Sequence, residues 1–106
     1  MSEATQTEKI TLYFSTVPSN HEMRKAQQEI EAAMQSYKID YEIKDVAASG
    51  RDKIRMRSYA EDEKALPPQI VNKHYYCGDY KGFQAAMETK TLGEFLKLKR
   101  KLDLSI

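Results

Sequence analysis

Leu66-Pro67-Pro68-Gln69-Ile70-Val71-Asn72 is the most constrained stretch of this 106-residue chain. Pro68 has φ held at about −65° and no N–H to donate. Pro67 is restricted further, because a residue that precedes proline is pushed out of the helical region. The β-branched run that follows predicts a short strand, Gln69-Ile70-Val71, with a rigid entry. Proline is tolerated there because the first residue of a strand need not donate to the ladder. Whatever fold the chain adopts must therefore begin one strand at a proline.

Length suits a single domain with one core. Residues 1–7 read as a disordered tail and 8–106 as the domain. The formal net charge of +1 provides no long-range field that would draw nucleic acid. No apolar run approaches the roughly 20 residues of a membrane span, and Met1 to Glu8 lack the apolar core of a secretory leader. Cys77 is the single cysteine, which excludes an internal disulfide and fits a reducing compartment. The expected location is the cytoplasm, with diffusion into the nucleus open to a chain this small.

Ile10-Thr11-Leu12-Tyr13-Phe14 is β-branched and aromatic, apolar on both faces, and reads as a central strand. A loop through Pro18 leads to a helix, with Ser19 and Glu22 at capping-box spacing. Met23, Ala26, Ile30, Ala33, Met34 and Tyr37 share one helical face, with Gln27 its only polar member. Residues 39–45 alternate and predict a strand with one buried face. Ser49 and Asp52 offer a cap to a charged, mostly solvated helix over about 50–63, in which Ile54, Met56 and Tyr59 are the large apolar groups. Its acidic end, Glu61-Asp62-Glu63, reads as a solvated terminus.

After the proline strand, Asn72-Lys73-His74 predicts a hairpin turn and Tyr75-Tyr76-Cys77 a returning antiparallel strand, broken by Gly78. Asp79 can cap a helix through Phe83, Ala86 and Met87. Thr91-Leu92-Gly93-Glu94 is a capping box for a last helix, with Leu92, Phe95, Leu96 and Leu102 as contacts. Lys97 to Lys101 would then sit near a helix C-terminus, where the dipole favours cations. The order is β-α-β-α-β-β-α-α, an α/β fold with a four-stranded mixed sheet flanked by helices.

This order, with a proline opening the third strand and a glycine after the fourth, resembles the glutaredoxin form of the thioredoxin fold. The proline strand, Tyr76-Cys77-Gly78-Asp79-Tyr80, Thr91-Leu92 and Glu94-Phe95-Leu96-Lys97-Leu98 together resemble the SH3-domain-binding glutamic-acid-rich-like family, over roughly residues 9 to 98. The short type without a glutamate-rich tail is the most similar. The resemblance implies a cis-proline at Pro68, facing the loop that in glutaredoxins carries C-x-x-C. That place is held here by Pro18-Ser19-Asn20-His21.

Redox catalysis there needs a thiolate at the helix N-terminus, and none of these four residues supplies one. Cys77 reads first as a small, partly buried residue, and an alternative is a residual glutathione-linked redox role for it. In glutaredoxins the residue before the cis-proline exchanges two main-chain hydrogen bonds with glutathione. Here it is Pro67, which has a carbonyl but no N–H. The basic residue that precedes C-x-x-C in many glutaredoxins is Ser15, and the γ-glutamyl motif is reduced to Cys77-Gly78-Asp79-Tyr80. Weak or no glutathione binding is expected, and no other cofactor.

His21 and His74 lie far apart, with no acid or thiol at ligand spacing, so no metal site is expected. There is no P-x-x-P, and Pro67-Pro68 runs straight into a strand, so SH3 domains are not expected partners. The chain therefore reads as a non-enzymatic protein-interaction module. Its expected surface comprises Pro18, Ser19, Asn20, His21, Pro67, Pro68, Gly78, Asp79 and Tyr80.

Overall fold

The computed structural model describes residues 9–102. The tail expected at 1–7, and the outermost residues of the expected domain, lie outside them. Four strands, β1 (Ile10–Phe14), β2 (Tyr41–Asp45), β3 (Gln69–Asn72) and β4 (Tyr75–Asp79), alternate with helices α1 (His21–Ser36), α2 (Gly50–Ala60), α3 (Tyr80–Glu88) and α4 (Leu92–Phe95). The sheet order is β2-β1-β3-β4. β1 and β2 are parallel, and β3 is antiparallel to both β1 and β4. This is the expected order and the expected mixed sheet.

β1 is central and buried on both faces, as its β-branched and aromatic run predicts. On one face Ile10, Leu12 and Ile70 pack against Ile30 and Met34 of α1, Phe83 of α3, and Leu92 and Leu96. On the other, Tyr13 and Val71 meet Met56 of α2 and Val46. No helix among the described residues is long and apolar enough to cross a membrane.

Several local expectations are corrected. The N-cap of α1 is Asn20, not Ser19: Asn20 is extended and its Oδ1 accepts from Met23 N–H at 2.8 Å. β2 begins at Tyr41, because Ile39 belongs to the end of α1. Lys38 adopts φ 58°, its N–H bonds to Gln35 O and Ile39 N–H bonds to Met34 O, a Schellman closure that buries Ile39. What remains of β2 is an edge strand with no fully buried residue, and Ile43 is exposed. α2 stops at Ala60, closed by Glu61 at φ 55°.

Asn72 ends β3 instead of turning, which leaves Lys73-His74 as a two-residue turn with Lys73 at φ 57°. The buried Asn72 amide holds the strand end in place: Nδ2 donates to Leu96 O at 2.9 Å and Lys97 O at 3.1 Å, and Oδ1 accepts from Lys9 N–H at 3.2 Å. Gly78 does not break β4. Val71 pairs with Tyr76 and Ile70 with Gly78, so Cys77 is the extra residue of a β-bulge and the strand continues to Asp79. α4 has four residues and Thr91 forms no side-chain cap. Its hydroxyl lies 2.8 Å from that of Thr89 instead. The cations after Lys97 therefore follow a single turn, not a helix long enough for a dipole to explain them.

Candidate functional site

Gln69, the first residue of β3, pairs with Tyr13 near the end of β1 and with Asp79 at the end of β4. The loop after Phe14, the Pro67-Pro68 entry and the Gly78-Asp79-Tyr80 corner are thereby brought to one end of the sheet. All nine residues expected to form the interaction surface lie there. The Pro67–Pro68 peptide bond is cis.

The loop from Ser15 to Asn20 is held at four points. Gln27, buried on α1, accepts from Ser15 N–H through Oε1 at 2.9 Å and donates to Ser15 O through Nε2 at 3.1 Å. Asp45, at the end of β2, accepts from the Thr16 hydroxyl at 2.7 Å and from Thr16 N–H at 3.0 Å. Val17 N–H reaches Ser15 Oγ at 3.0 Å, and Asn20 caps α1. The Thr16 hydroxyl is the main reason the Asp45 carboxyl sits below its usual range; burial opposes it, and the N–H groups of Thr16, Ala47 and Ala48 each add a further lowering.

The second segment is tied down in the same manner. Gln69 is buried, its Nε2 donates to Leu66 O at 2.8 Å and its Oε1 accepts from the Tyr76 hydroxyl at 2.5 Å. Arg57 Nε donates to Ala65 O at 3.1 Å. Pro68 is buried while Pro67 is half-exposed. Between these anchors two apolar side chains stand out into solvent, Val17 at 74% and Leu66 at 57% exposure.

At the third corner Asp79 caps α3, its Oδ1 accepting from Gly82 N–H at 3.0 Å, as its position after the strand predicts. The Tyr80 hydroxyl turns onto α1 and donates to Glu29 Oε1, which pushes the phenol up to about 12. Tyr80 is thus largely an interhelix tie. Gly78 sits at φ 148° beneath the Phe95 ring, where a Cβ would lie 2.7 Å from Cε1.

Cys77 lies in the bulge with its side chain against the core shared by α1, α3 and α4. Burial pushes its thiol up to about 11, with Lys97 opposing weakly. Only about one molecule in ten thousand would carry the thiolate at neutral pH. At the start of α1, the Met23 amide that could stabilise a thiolate is already taken by Asn20.

Gln27, Gln69 and Asp45 were not among the expected site residues, nor were Val17 and Leu66. Gln27 alone left a signal, as the one polar residue on an apolar helical stripe.

The model of the SH3-binding, glutamic acid-rich protein family matches residues 8–99. The chain is 34% identical over 101 residues to the SH3 domain-binding glutamic acid-rich protein homolog of Drosophila melanogaster, covering 84% of this chain and 64% of that longer relative. Among solved structures it is similar to the C. albicans actin interacting protein Aip5, with a TM-score of 0.71, 19% identity, and coverage of 91% of this chain and 95% of that one. It is also similar to buckwheat glutaredoxin in complex with glutathione, with a TM-score of 0.61, 8% identity, and coverage of 90% and 84%. At such identities the likeness shows the fold, which is glutaredoxin-like.

Proposed function

The chain belongs to the SH3-binding, glutamic acid-rich protein family, and we propose that it is a non-enzymatic glutaredoxin-like module that binds other proteins through the end of its sheet. One observation carries this reading: two thiol-free segments, each pinned by buried side-chain amides, present Val17 and Leu66 to solvent where a glutaredoxin would place its reacting groups. A pinned loop loses little conformational entropy on binding, so contacts made by its exposed side chains translate more fully into affinity. Pro18, Ser19, Asn20 and His21 supply the loop edge, Pro67 the opposite edge, and Asp79 a carboxylate beside it.

Glutathione is expected to bind weakly, since Pro67 offers a carbonyl and no amide. Losing that hydrogen bond costs on the order of 1 kcal/mol, close to tenfold in affinity. Docking of an SH3 domain on Pro67-Pro68 is disfavoured by the burial of Pro68. The Cys77 redox alternative is disfavoured by its protonated, half-buried thiol.

Affinity capture with wild type and with the double variant Val17→Asp, Leu66→Asp tests the surface. Actin is the first partner to try, because Aip5, which shares the fold, is an actin-interacting protein. A protein held by wild type and lost by the variant supports this surface. Partners held equally by both would place the interaction elsewhere.

A further inference from the structure

The two faces of the sheet are covered unequally. Among the described residues, α1, α3 and α4 close one face, while α2 is the one helix on the other. Beside α2 a concavity of about 580 Å³ remains open, within the range of small-molecule sites. Its floor follows from the register: Thr11 opposite Glu42, and Tyr13 opposite Lys44. Arg55 and Tyr59, one turn apart on α2, form one wall, and the β3–β4 turn forms the other.

Lys9, Lys44, Arg55 and Lys73 all line this space, against one carboxylate among the described lining residues, that of Glu42. They come from the chain before β1, from β2, from α2 and from the hairpin turn. No sequence run or helix terminus explains their convergence, and the chain as a whole is only +1. Lys73 is presented by a turn whose geometry is set at φ 57°, with its carbonyl accepting from the Tyr59 hydroxyl at 3.5 Å. One partly exposed aromatic ring accompanies the cations: Tyr59, which packs on the buried Tyr13 with centroids 6.4 Å apart and planes 44° from parallel. Glu42 accepts from the Thr11 hydroxyl at 3.4 Å and keeps further acceptor capacity for a ligand hydroxyl or amine.

The geometry points to a binding site for a phosphorylated small molecule of nucleotide size, its phosphates among the four cations and its ring against the partly exposed Tyr59. Phosphate suits Arg and Lys, whose charged donors make short, strong bonds to its oxygens. By the strand register this site lies toward the Lys9 and Lys73 end of the sheet, away from the surface that carries Val17 and Leu66.

The test is an amide-resolved NMR titration of the full chain with metal-free ATP at physiological salt, with tripolyphosphate as a second arm. Saturable shifts are expected at Thr11, Tyr13, Lys44, Tyr59 and Lys73, with ATP bound more tightly than tripolyphosphate. The double reversal Lys44→Glu, Arg55→Glu should weaken ATP by roughly tenfold or more. Lys9→Glu, on an exposed residue outside every element, reads the same site should the double variant fold poorly. Lys99→Glu with Lys101→Glu should leave affinity unchanged. Absence of saturation at millimolar ATP, equal binding of tripolyphosphate, shifts centred on residues 97–101, or charge reversals without effect would each overturn the assignment.

Discussion

Gly78→Ala should be among the most damaging single-atom additions to this chain. Two penalties combine at the site. The residue sits at φ 148°, and its Cβ would fall 2.7 Å from Phe95 Cε1 and 3.1 Å from Cζ. Backbone strain of this kind costs about 1–3 kcal/mol, and overpacking against a ring costs about as much again. The sum, roughly 2–6 kcal/mol, is a large share of the 5–15 kcal/mol typical of a domain. At about 4–8 °C per kcal/mol for a domain near this size, Tm should fall by about 10 °C or more. Gly82→Ala is the matched control. Its Cβ meets the same Phe95 atom at 2.9 Å, but the backbone is helical. Helix propensity returns about 1 kcal/mol there, so with the overpacking of about 1–3 kcal/mol the net cost should be roughly 0–2 kcal/mol. Urea unfolding followed by circular dichroism measures both. A Gly78→Ala cost below about 1 kcal/mol, or one no greater than that of Gly82→Ala, would refute the reasoning.

Three further outcomes follow from the same geometry. Gln27→Leu leaves Ser15 N–H and C=O without partners at about 1–3 kcal/mol each, so stability should drop and amide exchange at Ser15 to Val17 should quicken; an unchanged exchange pattern would contradict the clamp. The Asp45 carboxyl lies below its ordinary value, held there by the Thr16 hydroxyl. A depressed carboxylate adds stability above the unfolded value of about 3.9 and loses it as pH falls through the folded one. Unfolding curves of wild type and Asp45→Asn should therefore differ at neutral pH and converge in acid, whereas a constant offset at every pH would be evidence against this. Cys77, with its thiol near 11, should react with iodoacetamide at neutral pH at least about tenfold more slowly than free cysteine, as followed by mass spectrometry.

Much of the architecture was legible because pattern and packing agree. The β-branched and aromatic run Ile10 to Phe14 reads as a doubly buried strand, and the helical stripe from Met23 to Met34 as the face that covers it. The proline strand and the Cys77-Gly78-Asp79 corner were enough to suggest the family. Helix ends were harder. α1, α3 and α4 close with lysines at φ 58°, at Lys38, Lys90 and Lys97, and α2 closes with Glu61. The usual signal for such a turn is glycine, and none stands at these positions. Sequence spacing likewise could not choose between Ser19 and Asn20 as cap, since both side chains can accept from an N-terminal amide. The anchors Gln69 and Asp45 were invisible for a different reason. Their partners, Tyr76 and Leu66 for one and Thr16 for the other, are set by tertiary placement.

The central claim is that a glutaredoxin scaffold here presents a binding surface instead of a redox centre. A mixed-disulfide reductase assay with glutathione tests it most directly. Wild type and Cys77→Ser should both match the uncatalysed rate. The replacement Pro18→Cys, Ser19→Pro, Asn20→Tyr, His21→Cys should gain turnover if the loop is held in the catalytic position. Wild-type turnover that disappears in Cys77→Ser would contradict the account.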